Sequence, residues 1–120
     1  MKYNRHLKAI GLKKKDIPSY WFEGEERQKE DKDGFREVEF YDLDKLFSCF
    51  IYSYLCEFRE NHMYSYPGSL RSMKEWEDIL DKMIKAFKLK LTVSYPSKNQ
   101  QKQINYGMRL FIKYYRSLWY

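Results

Sequence analysis

Helical periodicity in three long stretches constrains this chain more than any other feature of its sequence. In each stretch apolar residues return every three or four positions without a break, and that spacing places them on one face of an α-helix. The stretches cover about 43–59, 73–88 and 98–119. Their apolar positions are Leu43, Leu46, Phe47, Phe50, Ile51, Tyr54, Leu55, Phe58, Trp76, Ile79, Leu80, Met83, Ile84, Phe87, Ile104, Met108, Phe111, Tyr115, Leu118 and Trp119. The sequence therefore predicts a mainly α fold, a compact helical bundle of three main helices.

Residues that can cap a helix stand at the start of each stretch. Asp42 precedes the first stretch, where it can serve as the N-cap. Ser72 and Glu75 have the spacing of a capping box, in which each side chain bonds the other residue's backbone amide. Ser97 and Gln100 repeat that spacing before the third stretch. These residues predict where the three helices begin.

The first predicted helix differs from the other two on its back face. That face carries Cys49, Tyr52 and Cys56 rather than charged residues. A helix without a charged face is typically covered on more than one side. We therefore expect this helix to lie at the centre of the fold, with its regular aromatic face in the core.

Shorter elements are predicted outside the three stretches. The N-terminal segment contains enough apolar residues for a short helix, followed by a turn at Pro18 that anchors the aromatic cluster 20–22. Segments 36–41 and 91–95 alternate polar and apolar residues, which leaves room for a minor two-stranded sheet. The apolar residues of the N-terminal segment are Leu7, Ile10, Leu12 and Ile17.

Charge is unevenly distributed along the chain. Its length of 120 residues predicts a single domain, 1–120. The formal net charge is +6, and all 17 acidic residues fall within 16–87. Segments 1–15 and 88–120 therefore carry only basic charge. We expect 1–15 to form a basic N-terminal arm, and 23–39, which is dense in charge and poor in apolar residues, to be an exposed loop.

Residues suited to catalysis or metal binding do not occur in a recognisable pattern. The histidines, His6 and His62, have no cysteine or carboxylate at ligand spacing, so the sequence predicts neither a metal site nor a cofactor. Cys49 and Cys56 lie on a helix face and read as buried, reduced thiols. We expect a protein that is not an enzyme. We also expect it to be cytoplasmic and away from membranes, since neither a secretory signal nor a spanning stretch is recognisable.

Basic and aromatic residues alternate on the polar side of the third predicted helix. At 3.6 residues per turn they share one narrow stripe, opposite the apolar face. Such a stripe can contact phosphates and unpaired bases, or the acidic surface of a protein. Two other interpretations stay open: a solvated helix face, or an internal surface paired with the acidic loop. The stripe consists of Lys102, Tyr106, Arg109, Lys113, Arg116 and Tyr120.

A run of lysines in the N-terminal arm is a second candidate contact with nucleic acid. Lys13, Lys14 and Lys15 extend the positive charge of the arm and could follow a nucleic-acid backbone. Short lysine runs more commonly keep a chain terminus soluble. Both interpretations stay open, and the oligomeric state is not indicated.

Several short segments together resemble a group of small bacteriophage proteins of unknown role. The resemblance covers roughly residues 34–119, and its most specific part is the segment 75–87. In order, the segments read GFR, YDLD, YPG, EWEDILDKMIKAF, GMRLF and LW. The resemblance implies a phage accessory protein and supplies no catalytic or binding residues. Proteins of that kind often bind and block a host machine, and inhibitors of CRISPR nucleases are the prominent class.

These observations lead to a functional expectation with two alternatives. The resemblance and the basic stripe favour a phage-encoded binding protein, an anti-CRISPR-like inhibitor of a bacterial defence complex that contacts a Cas nuclease or its guide RNA. The first alternative is a phage accessory protein that binds nucleic acid. The second is a structural or oligomerising protein that uses exposed tyrosines and tryptophans.

Overall fold

The computed structural model describes residues 2–21 and 28–119, and within them the chain is helical. The α-helices are α1 (Arg5–Ala9), α2 (Leu43–Asn61), α3 (Met73–Thr92) and α4 (Lys98–Tyr114). Short 3-10 turns lie at Lys14–Asp16, Pro18–Tyr20, Glu37–Phe40 and Tyr115–Ser117. Three long helices pack against each other and a short helix precedes them, so the predicted mainly α fold is confirmed.

Helices α2 and α4 begin at the predicted caps. The Asp42 carboxylate accepts a hydrogen bond of 3.1 Å from the Lys45 amide at the start of α2. At the start of α4, the Ser97 hydroxyl accepts from the Gln100 amide at 3.1 Å. The Gln100 side chain accepts in return from the Ser97 amide at 2.9 Å. This capping box satisfies amides that the first helical turn leaves without intrahelical partners.

The cap of α3 forms with a different reciprocal partner. The Ser72 hydroxyl accepts from the Glu75 amide at 3.2 Å, as predicted. The Glu75 carboxylate, however, accepts from the amide of Arg71 at 2.9 Å rather than from the amide of Ser72. The helix start is therefore correct, while the predicted capping box is only half formed.

Among the three long helices, α3 and not α2 lies in the middle. It packs against α2 on one side and α4 on the other, and its Trp76, Leu80 and Met83 are almost completely buried. The Lys90 ammonium near the end of α3 lies 3.3 Å from the Asp44 carboxylate near the start of α2, so the two helices run antiparallel. The prediction that α2 is covered on more than one side is confirmed by its contacts with α1 and α3, but α3 rather than α2 takes the middle position among the three long helices.

A glycine allows α3 and α4 to approach closely. Gly107 is buried, and a Cβ atom placed on it would collide with the side chain of Ala86 and the backbone carbonyl of Lys82. Only a residue without a side chain fits at this crossing. Aromatic pairs extend the contact along both helices, with Trp76 5.6 Å from Tyr114 between ring centroids.

The N-terminal segment is fastened to α2. Leu7 and Ile17 are completely buried, and α1 packs on α2. The Asn4 side chain accepts from the amides of His6 and Leu7, and it also donates to the Ser53 hydroxyl of α2 at 3.0 Å. Asn4 thus caps α1 and ties it to the neighbouring helix. Residues 1 and 22–27 lie outside the described residues, so part of the predicted aromatic cluster 20–22 is not described.

The minor sheet that the alternation allowed does not form. Over residues 2–21 and 28–119 there is no β-strand. Segment 36–41 contains the 3-10 turn Glu37–Phe40, and the first residues of 91–95 complete α3. Alternation over so few residues does not outweigh a helical pattern that continues into the same segment.

The helices form an open layer rather than a closed bundle. The molecule measures 51 × 35 × 23 Å, with a radius of gyration of 15.9 Å. A compact domain of this length has a radius of gyration of about 13.6 Å. Because α2 and α4 both pack on α3 and make little contact with each other, a groove opens between them.

Candidate functional site

The predicted basic residues of α4 lie on its outer face. Lys102, Arg109 and Lys113 are exposed, whereas Ile104 and Leu110 on the opposite side are buried against α3. Arg116 follows in the 3-10 turn Tyr115–Ser117 and is also exposed. The structure thus brings these cations together on one side of the molecule. Tyr120 lies outside the described residues.

Two further lysines belong to this surface and were missed in the sequence. Lys98, the first residue of α4, lies one turn before Lys102 on the same face and is exposed. Its spacing from Lys102 would have identified it. Lys82 of α3 lies 5.5 Å from the ring centroid of Tyr106, and only tertiary structure could reveal that contact. The term basic face is used below for Lys98, Lys102, Arg109, Lys113 and Arg116.

The charge of the basic face is not compensated within the described part of the chain. Neither α4 nor the turn after it contains an acidic residue. Among residues 2–21 and 28–119, no ion pair involves the basic face. In the described part of the charged loop, Glu30 instead pairs with Arg36 at 3.4 Å. Residues 23–27 of that loop lie outside the described residues.

Tyr106 is not free to stack on a base as an isolated ring. Its side chain is 44% exposed, and the Lys82 ammonium approaches its ring. A cation over an aromatic face is attracted by the ring quadrupole, so this contact holds Lys82 at the edge of the basic face. The surface is therefore dominated by positive charge rather than by stacking platforms.

The lysine run 13–15 lies away from the basic face. Lys13, Lys14 and Lys15 are exposed in and beside the turn Lys14–Asp16, and that turn packs through the turn Pro18–Tyr20 onto the α2 side of the molecule. Lys14 lies 4.8 Å from the Tyr20 ring centroid. The two predicted basic regions are therefore separate surfaces.

A buried histidine and two carboxylates meet where α1 packs on α2. The His6 Nε2 atom lies 2.8 Å from Glu57, and Arg5 pairs with Glu57 at 2.7 Å and with Glu60 at 3.1 Å. The hydrogen bond with His6, followed by one from Asn61, lowers the pKa of the Glu57 carboxyl to about 2. His6 and Glu57 are 51 positions apart, so local spacing could not reveal them.

The same cluster contains ligand types that a metal ion uses. Donor atoms of His6, Glu57 and Glu60 lie within 4.8 Å of one another. However, the Arg5 guanidinium already occupies both carboxylates and neutralises part of their charge. The arrangement is a network of ion pairs and hydrogen bonds that connects α1 to α2.

Both cysteines are free and buried, as predicted. Burial raises the pKa of the Cys49 thiol to about 11, and burial also raises that of Cys56. Because the thiolate is the nucleophilic form, both groups are unreactive at neutral pH.

An aromatic groove separates α2 from the C-terminal end of α4. It has a volume of about 680 Å³. Of the α2 face expected in the core, Leu46 and Leu55 are buried, but its aromatic residues Phe47, Phe50 and Tyr54 are exposed. The back-face residues Cys49, Tyr52 and Cys56 are buried. Tyr115 and Trp119, also expected in the core, are exposed because the α-helix ends at Tyr114. The main lining residues of the groove are Phe50, Tyr54, Phe58, Phe111, Tyr115 and Trp119.

No helix in the described part of the chain combines the length and hydropathy that crossing a bilayer requires. Comparison with known proteins finds no matching family model, no matching curated protein and no matching solved structure.

Proposed function

We propose that this chain is a non-enzymatic binding protein of phage origin that inhibits a bacterial defence complex. In this proposal it binds the nucleic acid of that complex, such as the guide RNA of an RNA-guided nuclease, through the basic face. The observation that carries the proposal is the set of exposed cations on the outer side of α4, none of which forms an ion pair with a residue that the structure describes. From Lys98 to Arg116 they extend over about 27 Å at the helical rise per residue.

A surface of this kind suits a phosphate backbone better than a small ligand. The cations lie along one side of a helix rather than converging on a cavity. Each phosphate that a lysine or arginine neutralises releases a bound counterion, which drives association at low salt. Arginine can also bind a phosphate through two parallel hydrogen bonds. Affinity from such contacts does not depend on base sequence.

Other parts of the molecule support a role in binding rather than catalysis. The thiols are buried and protonated, and His6 is engaged with Glu57. The resemblance to small phage proteins supports a host defence complex as the target, in the bacterial cytoplasm. That part of the proposal rests on analogy with such proteins.

Binding of RNA is tested by fluorescence anisotropy with a labelled single strand of about 20 nucleotides. Salt is varied from about 50 mM to about 200 mM, and we expect the logarithm of affinity to fall with the logarithm of salt concentration, with a slope near −0.7 per phosphate contact. The variant carrying Lys102→Ala, Arg109→Ala and Lys113→Ala should bind at least about tenfold more weakly, with a slope shallower by about 2.

A matched control removes the same charge elsewhere. The triple variant Lys8→Ala, Lys29→Ala and Lys32→Ala changes exposed lysines outside α4. It should bind nearly as tightly as the unaltered protein. Equal losses in both triple variants would mean that net charge, and not the basic face, determines binding.

Inhibition is tested by adding the protein to reconstituted RNA-guided nucleases and measuring target cleavage. The unaltered protein should reduce cleavage, and the triple variant in α4 should not. RNA binding without inhibition of any nuclease would favour the alternative, a phage accessory protein that binds nucleic acid. No RNA binding at low salt would contradict the proposed role of the basic face.

A further inference from the structure

We infer that the aromatic groove is the interface of a symmetric dimer and that its occupant is a second copy of this chain. The inference starts from α2, whose most regular apolar face is turned away from its own fold. Leu43, Phe47, Phe50 and Tyr54 follow one another at alternating spacings of four and three residues, and all are exposed. That alternation forms the continuous seam through which one helix packs on another.

The exposed apolar side chains beside the groove together approach the area that one side of a stable dimer interface requires. Five rings beside the groove are each 48 to 70% exposed. At about 200 Å² for a whole aromatic side chain, they expose roughly 600 Å² together. Leu43 and Ile112 bring the patch toward the ~800 Å² that each partner contributes to a standard interface. These rings belong to Phe47, Phe50, Tyr54, Tyr115 and Trp119.

The patch lies at the upper end of what single chains usually leave uncovered. The largest apolar patch on a typical monomer measures about 300–600 Å². The whole chain has an accessible surface of 8521 Å², compared with about 7,000 Å² expected for a folded monomer of its mass. The additional accessible surface is consistent with a single layer of helices that a second copy of the chain covers.

A two-fold axis along the groove brings unlike walls together. Both α2 and α4 run antiparallel to α3, so they are parallel to each other and their C-terminal ends lie at the same end of the layer. A two-fold rotation about an axis that runs along the groove exchanges the two walls. It leaves the C-terminal ends of α2 and α4 of both copies at the same end of the dimer. The α2 wall of one copy then lies over the α4 wall of the other, so that the aromatic residues of unlike walls meet. Such an interface is self-complementary, as a two-fold dimer requires.

The oligomeric state is measured by light scattering coupled to size-exclusion chromatography and by sedimentation equilibrium. Protein is tested without nucleic acid, from about 1 µM to about 100 µM. We expect twice the 14.9 kDa mass of one chain at the upper concentrations. A mass of one chain over the whole range would overturn the inference.

Substitutions in the groove identify the interface. Tyr54→Asp and Trp119→Asp each place a charge on one wall, and both side chains are exposed, so the fold should be retained by circular dichroism. Each should weaken self-association at least about tenfold, since a charge in an apolar interface loses its hydration. Tyr95→Asp is the matched control, because Tyr95 is 94% exposed and lies outside the groove. A dimer unaffected by either groove variant would refute the assignment.

The nucleic-acid test changes Lys102, Arg109 and Lys113, none of which lines the groove, so the dimer and the proposed RNA binding can fail independently.

Discussion

Gly107 illustrates how much one residue determines the packing of α4. A methyl group at this position would meet Ala86 and the backbone of α3, and the backbone cannot yield as a flexible side chain can. We predict that Gly107→Ala destabilises the protein by about 1–3 kcal/mol through overpacking, in spite of the better helix propensity of alanine. Chemical denaturation followed by circular dichroism measures the loss.

The control for this prediction is Gly68→Ala. None of the described residues has an atom within 4 Å of a Cβ atom placed at Gly68, so this substitution should change stability by a few tenths of a kcal/mol at most. If Gly107→Ala is as stable as Gly68→Ala, the close approach of α3 and α4 is incorrect.

Glu57 makes stability depend on pH. Its pKa in the folded protein is about 2, below the usual 4.5, because of hydrogen bonds with His6 and Asn61. A carboxyl with a lowered pKa stabilises the fold fully above its unfolded pKa, and this contribution is lost as pH falls toward the folded value. We predict that Glu57→Gln makes the decrease in Tm between about pH 5 and about pH 2 shallower.

A second carboxylate serves as the reference for this measurement. Asp33 is exposed and forms no ion pair with the described residues. The variant Asp33→Asn should retain the pH dependence of the unaltered protein. Identical pH profiles for Glu57→Gln and the unaltered protein would contradict this prediction. They would show that the contacts of Glu57 with α1 contribute little to stability.

At the scale of elements, α4 depends on its first turn. Its capping box satisfies one amide by the Ser97 hydroxyl and a second by the Gln100 side chain. We predict that Ser97→Ala costs about 1 kcal/mol of unfolding free energy, since the Gln100 amide loses its acceptor. Thermal unfolding compares it with Ser94→Ala, an exposed serine in the preceding connection. A Ser97→Ala variant as stable as Ser94→Ala would contradict the cap.

Existence and starts of the helices were predictable from sequence because both are local properties. Periodicity and the caps at Asp42, Ser72 and Ser97 involve neighbours along the chain. The end of α4 was predicted too late, because Tyr115 and Trp119 continue the apolar spacing after the α-helix has ended. Apolar spacing identifies a helix, but it does not specify what the helix packs against.

The buried face of α2 shows the same limit more clearly. Its large aromatic residues suggested the core side, yet the smaller Cys49 and Cys56 are buried with Tyr52. Which of two apolar faces packs inward depends on α1 and α3, and these contacts are distant in sequence. The groove was therefore not predictable, whereas the exposure of the basic stripe followed from its position opposite the apolar residues of α4.

At the scale of the whole molecule, the basic face and the aromatic groove lie on different sides of α4. Cations occupy the side that points away from α3, and the aromatic residues lie toward α2. A dimer closed at the groove would leave most of both basic faces exposed. Two such faces in one assembly would raise the effective concentration of the second for a long nucleic acid that has bound the first.

The arrangement of the layer also bears on how the molecule opens. Among the helices of the described residues, α4 has one neighbour, α3, whereas α3 has two and α2 packs against α1 and α3. Detaching α4 therefore breaks one set of packing contacts and leaves the rest of the layer in place. Amide protons of α4 would then exchange with solvent through partial opening, while those of α3 would exchange only through global unfolding.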